Sequence, residues 1–346
     1  MTPDSMMLNT QEFLQIDFPA LLAAVLACAA CALVGNFLVL RRQGMMGDAV
    51  SHAVLPGIVA GFLIAGTRET LPMMAGALAA AALSGVLIEA VRRFGRLESG
   101  AAMGVVFTVM FAAGVVMIEQ AAARGVDLDA DCVLYGQLET ILWLAPTGWA
   151  SLLDPAAWAA MPREVVTLAA VFVLCVALVL LFYKELRITT FDPALASTLG
   201  IPAGLFHYGV VLLVATTAIA AFEAVGSILV IAMLIAPPAA ARLLTDRLSV
   251  QLGLSVALGV LAAVAGYAAA AFGPLLLGGE HSLNAAGMIA VAAGLILALA
   301  ALFGPTHGVL GRRRALGRLR GAVPVAAPAE PVAAPAEPVA VEARNP

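Results

Sequence analysis

The chain has 346 residues, of which 62% are hydrophobic and only 12% charged, and its formal net charge is −4. Ordinary globular domains carry about 25% charged residues, so this composition excludes a soluble enzyme or binding module, and the acidic balance offers no basic surface for nucleic acid. A mean hydropathy of +1.02 instead predicts an all-α polytopic integral membrane protein with about 8–9 transmembrane helices.

Apolar segments of roughly 20 residues recur along the chain, and each is long enough to cross about 30 Å of hydrocarbon. They follow an N-terminal arm, residues 1–17, and precede an Ala/Pro/Glu-rich tail, residues 320–346, that we expect to be disordered. The predicted spans are 18–40, 45–66, 71–91, 101–119, 165–183, 205–222, 224–244, 250–272 and 284–304. The segment 141–158 contains three tryptophans and two prolines, which favours an interfacial position.

Positive charges predict the orientation of these spans, because Lys and Arg are enriched in cytoplasmic loops. Arginine pairs and clusters at 41–42, 92–96 and 312–320 fall on one side of the predicted spans. We therefore expect the N-terminal arm and the loop 120–163 to lie outside, and the C-terminus to lie in the cytoplasm.

Two ionisable residues, Asp48 and His52, lie in the second apolar segment. Residues four apart share one face of a helix, so the carboxylate and the imidazole can bind the same ion or each other. A charged residue inside a bilayer is costly and usually faces a pathway or a partner. The pair is therefore either a transport site or a structural hydrogen bond between two helices. Oxygen and nitrogen ligands suit Mn, Zn and Fe.

The segment 184–204 lies between two spans on the positive side. Asp192 and Pro193 are a typical helix start and Gly200 a typical stop, which indicates a short cytoplasmic helix. It is either a docking element for a partner or an ordinary amphipathic loop.

Lys184 is the only lysine, and no phosphate-binding loop surrounds it. The chain is therefore not an ATPase itself, and any ATP hydrolysis would occur on a separate subunit.

Two further residues are candidate metal ligands. Glu223 lies at the predicted turn between two spans, where it could face the pathway or be an ordinary residue of an outer loop. His281, beside Glu280 in an outer turn, could receive metal or be part of an exposed loop pair. The prolines at 237 and 238 are expected to break or kink their helix.

Small residues in the spans are expected to serve helix packing. Cys28 and Cys31 lie in an Ala-rich span without a second cysteine pair, and we interpret them as packing residues. The G-x-x-x-G spacing that allows close helix approach occurs at Gly57 and Gly61 and at Gly100 and Gly104.

Four stretches carry a family resemblance: LRRQGMMGDAVSHAVLPG, FYKELRITTFDPALASTLGIP, EAVGSILVIAMLIAPPAAARLL and SLNAAGMIAVAAGLILALAALFGPTHG. Together they resemble the membrane permease of bacterial ABC importers for zinc, manganese and iron, over residues 18–310. The resemblance implies a type II-like permease in the bacterial inner membrane that carries metal as cargo and holds no permanent cofactor. It also implies three partners: a cytoplasmic ATPase, an extracytoplasmic metal-binding protein and a second permease copy.

The resemblance also assigns residues. Its D-A-x-S-H motif is matched by Asp48, Ala49, Ser51 and His52, where the ion is expected to pass. Its ATPase-coupling stretch is matched by Phe191, Asp192, Pro193, Ala194 and Gly200. The alternatives are an ABC permease for a metal chelate or cobalamin, and a proton-coupled secondary metal transporter, which would need no docking helix.

Overall fold

The computed structural model describes residues 11–66, 70–122, 138–146, 148–276, 283–305 and 308–309. Within these ranges the regular secondary structure is entirely helical, because each apolar run satisfies its own backbone hydrogen bonds. The α-helices are α1 Phe18–Leu40, α2 Met45–Ala53, α3 Leu55–Ala65, α4 Thr70–Gly95, α5 Ser99–Ala122, α6 Pro155–Ala159, α7 Arg163–Leu181, α8 Tyr183–Phe191, α9 Pro193–Thr198, α10 Ala203–Leu244, α11 Leu248–Leu276 and α12 Ala285–Phe303. The predictions for His281 and for the tail 320–346 lie outside the described residues.

In the described part of the chain, seven helical segments are long and apolar enough to cross a membrane. They lie in α1 with the helical turn before it, and in α4, α5, α7, α10, α11 and α12. Apart from the segment in α10, which covers two predicted spans, their bounds lie within a few residues of predicted ones. The prediction of an all-α polytopic membrane protein is confirmed.

Helix α10 is one of these seven, but it folds back on itself. As a straight helix its 42 residues would measure about 63 Å, twice the hydrocarbon thickness. Its early residue His207 lies 3.3 Å from Arg41 at the end of α1, and Leu234 packs against Gly35, only six residues before Arg41. The reversal occurs at Gly226, whose φ of 78° and ψ of 166° suit glycine almost alone. The two predicted spans 205–222 and 224–244 therefore correspond to its two arms.

Of the expected break or kink at Pro237 and Pro238, the break is wrong, because φ and ψ are helical through both prolines and depart from helical values only at Gly226. A helix accommodates proline when the carbonyl four residues earlier finds another neighbour. Pro238 has no N–H for the carbonyl of Leu234, and that oxygen faces the backbone of Gly35 on α1. Any side chain at position 35 would collide with it, so glycine allows the two helices to meet here.

The expected continuous span 45–66 is instead two helices, α2 and α3, which are separated at Val54. Pro56 occupies the first turn of α3 and lacks the N–H that would continue the helical ladder from α2. The Asp48 and His52 backbone therefore lies on a short helix that ends just after His52.

Residues 138–146 and 148–159 contain only short helical turns, each too short to span a membrane. Trp143 is fully buried; its backbone N–H donates to the carbonyl of Gln15 and its indole Nε1 donates to that of Ala157. Its ring also packs against Phe18 at the start of α1. We call this the tryptophan-rich end. The other end of α1, where Arg41 and Arg92 line one cleft, is the arginine-rich end.

Candidate functional site

Helix α2 carries the candidate ligands Asp48 and His52 one turn apart, on the same side of the backbone. The half-buried imidazole of His52 contacts two phenylalanine rings of α5. Its centroid lies 5.1 Å from that of Phe107 and 5.3 Å from that of Phe111, whose ring is nearly perpendicular to it. These rings limit the orientations of the imidazole. The structure describes the backbone of Asp48, and the position of its carboxylate lies outside the described part.

The opposite neighbour of α2 is the second arm of α10. Gly47, next to Asp48, packs against the side chain of Leu234. The Asp48 turn therefore lies between α10 and α5, both of which are long enough to cross a membrane. Among the described residues, no group of three or more His, Cys, Asp or Glu side chains is arranged to hold a metal ion.

The predicted short helix after residue 192 is confirmed as α9. Asp192 caps it, since its Oδ1 accepts a hydrogen bond of 2.9 Å from the backbone N–H of Leu195, and Pro193 occupies the first turn. Gly200 follows the helix with a left-handed φ of 77°, a conformation typical of a helix stop.

The surface of this segment is apolar and uncovered. The exposed fractions of Phe191, Leu195 and Leu199 are 57%, 49% and 60%. Large exposed apolar side chains beside a charged helix are typical of a surface that binds another protein. Of the predicted coupling residues, Phe191, Asp192 and Pro193 are all exposed on this segment.

Glu223 lies far from α9, at the reversal of α10. It is exposed, three residues before Gly226, and Arg163 and Glu164 at the start of α7 are its charged neighbours. Because α7 follows the short turns of residues 138–159, Glu223 lies at the tryptophan-rich end. The structure thus places it at one end of the bundle, beside the loop preceding α7.

Sequence reasoning missed the aromatic partners of His52 and the role of Arg41. Phe107 and Phe111 are four residues apart, so they share a face of α5, and this spacing could have indicated a common contact. Arg41 gave no comparable signal. In the sequence it is one positive charge among several. In the structure its guanidinium hydrogen-bonds to Thr189 and Thr190 of α8 and to His207 of α10.

Comparisons with known proteins agree with this architecture. The chain is 40% identical over 290 residues to the manganese transport system membrane protein MntD of Bacillus subtilis, covering 84% of this chain and 92% of that protein. It is 41% identical over 291 residues to the zinc transport system membrane protein TroD of Treponema pallidum, covering 84% and 75%.

Among solved structures, PsaBC from Streptococcus pneumoniae in complex with Fab superimposes with a TM-score of 0.70 at 25% identity, over 90% of this chain and 99% of that one. Residues 12–143 and 157–300 match the ABC 3 transport family. The resemblance drawn from the sequence motifs is confirmed, and the chain belongs to the ABC 3 transport family.

Proposed function

We propose that this chain is the transmembrane permease subunit of an ATP-driven importer for a divalent transition metal, Mn, Zn or Fe. The observation that supports this most directly is that His52, at the matched motif on a short helix, packs against Phe107 and Phe111 of a neighbouring span. An imidazole and a carboxylate one turn apart suit these ions and hold them weakly enough for release. Membership of the ABC 3 transport family favours this function over a proton-coupled transporter.

Three partners belong to the proposal. A cytoplasmic ATPase would bind the exposed face of α9, since this chain has no phosphate-binding loop of its own. An extracytoplasmic metal-binding protein would deliver the ion at the tryptophan-rich end, where Glu223 lies and where His281 is expected. A second permease copy would complete the membrane unit. The chain itself would catalyse no reaction.

The contacts around Arg41 suggest how ATPase motion would reach the pathway. Arg41 ends α1 and hydrogen-bonds to Thr189 and Thr190, which lie in the helix just before Asp192. Only residues 42–44 separate Arg41 from the start of α2. A displacement of α8 and α9 would therefore be transmitted through packed neighbours to the helix that carries Asp48 and His52.

The test is the total Mn, Zn and Fe content of cells that lack this chain, grown under metal limitation. We expect a deficit in one metal that the wild-type chain restores and His52→Ala does not, because the imidazole would be lost from the pathway. His307→Ala is the matched control, since it removes the same residue type outside the matched D-A-x-S-H motif and should restore the metal.

Membrane levels of each variant are measured in parallel by immunoblot. If His52→Ala restores the metal content fully at equal protein level, His52 has a structural role and is not a ligand of the transported ion. A deletion strain with normal content of all three metals would contradict metal import and point to a chelate as the cargo.

A further inference from the structure

A polar cleft of about 420 Å³ opens at the arginine-rich end, between the end of α1, α4, α8 and the start of α10. Its chemistry differs from that of the rest of the membrane bundle, because two arginines and several hydroxyl groups converge there. The lining includes Arg41, Arg92, Thr189, Thr190, His207 and Tyr208. In the proposed import mechanism Arg41 only connects α8 to the end of α1, and the cleft has no ligand.

Arg41 is half-buried in this cleft and has only neutral partners in the described structure. Its Nε donates to Thr190 Oγ1 at 3.3 Å, its Nη2 donates to Thr189 Oγ1 at 3.5 Å, and its Nη1 lies 3.3 Å from Nδ1 of His207. All three distances exceed the 2.9–3.0 Å that is typical of N–H donors. Burial lowers the pKa of the Arg41 guanidinium, yet arginine stays protonated at physiological pH.

The acidic residue of the cleft is already paired. Glu89 binds Arg92 at 3.0 Å, one helical turn away on α4. Two arginines against this one carboxylate leave the cleft with one positive charge in excess. A charge removed from water without a counterion is unfavourable, so the arrangement calls for an anion.

The donors of the cleft suit an oxyanion. A guanidinium presents a planar fork of donors that matches the oxygens of a phosphate or a carboxylate, and a bond between charged groups is about twice as strong as a neutral one. The hydroxyl of Thr189 already donates to the carbonyl of Glu185, so it accepts from Arg41 and does not neutralise its charge.

The position of the cleft favours a lipid headgroup as the source of the anion. The cleft lies where α1 ends, between the ends of membrane helices, on the side that the arginine distribution marks as cytoplasmic. Basic pockets between helices at this depth bind the headgroups of anionic lipids.

We propose that this cleft binds a phosphate group, carried either by the headgroup of an anionic phospholipid or by a soluble phosphate compound. The bound phosphate would contact Arg41 directly and so hold α1, α8 and α10 together beside the coupling segment. This proposal does not depend on which cargo the chain transports.

Binding is measured by native mass spectrometry of the full chain in detergent micelles, titrated separately with phosphatidylglycerol, phosphatidylcholine, inorganic phosphate and ATP. We expect one phosphatidylglycerol per chain at low concentration, and binding that is weaker by about tenfold or more in Arg41→Gln, because a charge-assisted hydrogen bond is lost. Arg93→Gln is the matched control; Arg93 is exposed on α4 and does not line the cleft, so binding should not change.

Two further variants cover the case in which Arg41→Gln fails to fold, which size-exclusion chromatography would show. Arg92→Gln changes a more exposed residue and leaves Glu89 to repel the anion, so it should also weaken binding. Arg41→Lys keeps the charge without the fork and should bind between wild type and Arg41→Gln.

Selective binding of phosphatidylglycerol assigns the site to lipid, and selective binding of phosphate or ATP assigns it to a solute. Equal binding by the wild type, the foldable cleft variants and Arg93→Gln would overturn the proposal. So would the absence of binding by every phosphate probe.

Discussion

Three buried polar side chains join α1 to α11 inside an otherwise apolar core. The amide of Asn36 donates to Ser255 Oγ at 2.6 Å and accepts from the amide of Gln251 at 3.0 Å, and all three side chains are almost completely buried. Asn36 also donates to carbonyls of its own helix. Such a satisfied network holds two apolar helices in one register, because a shifted register would leave these groups without partners.

Replacing Asn36 by Ala should lower the free energy of unfolding by about 1–3 kcal/mol, because the Gln251 amide would lose its buried acceptor. The measurement is the unfolding of the purified chain in detergent, with Thr108→Ala as the control. Thr108 is exposed, and its hydroxyl bonds only to a carbonyl of its own helix. Equal stability of the two variants would show that the network contributes nothing.

At the scale of elements, α9 is a helix of six residues whose first turn is capped by the side chain of Asp192. Short helices are marginal on their own, so the cap at Asp192 matters more here than in a long span. An Asp-to-Ala change at a cap costs about 0.5–2 kcal/mol of helix stability.

Asp192→Ala should therefore lower the amount of metal taken up per ATP hydrolysed, while membrane insertion stays normal. The readout is this ratio in vesicles that contain the chain with the proposed ATPase subunit. Ser197→Ala is the control on the same helix, since that hydroxyl is exposed and bonds only to the carbonyl of Pro193. Coupling that survives Asp192→Ala but not Ser197→Ala would argue against the role of the cap.

The two G-x-x-x-G pairs of the sequence have different surroundings in the fold. Gly57 and Gly61 of α3 lie against the backbone of Gly76 and Pro72 on α4, so an added Cβ would collide with a carbonyl oxygen. A Cβ added at Gly100 or Gly104 of α5 would meet no atom of another element within 4 Å. Spacing alone does not distinguish a close contact from open space.

Gly57→Ala should consequently destabilise the chain, because α3 and α4 must separate to fit the methyl group. Gly100→Ala should be neutral or slightly stabilising, since alanine favours helix over glycine by about 1 kcal/mol. Thermal unfolding midpoints of the two purified variants test this difference. A lower midpoint for Gly100→Ala than for Gly57→Ala would contradict the described packing.

At the scale of the whole molecule, orientation in the membrane decides which end would meet the proposed ATPase. The arginine-rich end contains Arg41 and the start of α10, and α8 carries Lys184 beside it. Positive residues are retained on the cytoplasmic side during insertion, so this end should face the cytoplasm.

Lys184 provides the measurement, because it is the only lysine and its side chain is exposed. A membrane-impermeant amine reagent should label Lys184 in permeabilised cells and leave it unlabelled in intact ones. Peptide mapping separates this site from the N-terminal amine, and Lys184→Arg should abolish the signal. Labelling of Lys184 in intact cells would show that the orientation is the opposite of the proposed one.

The sequence by itself determined the class of protein, the approximate bounds of most spans and the start and stop of α9. These features depend on local physics: apolar length against bilayer thickness, and the capping chemistry of Asp192, Pro193 and Gly200. It also predicts Asp48 and His52 as candidate metal ligands, because their spacing and the family motif are properties of the chain alone.

Only the tertiary structure decided where α10 reverses, which glycines lie against another backbone, and what surrounds His52 and Arg41. Gly226 is one of many glycines, and its role follows from contacts of Leu234 and His207 with the same end of α1. Likewise, Arg41 meets residues about 150 and 166 positions away. Such contacts depend on how whole helices pack, which no local pattern encodes.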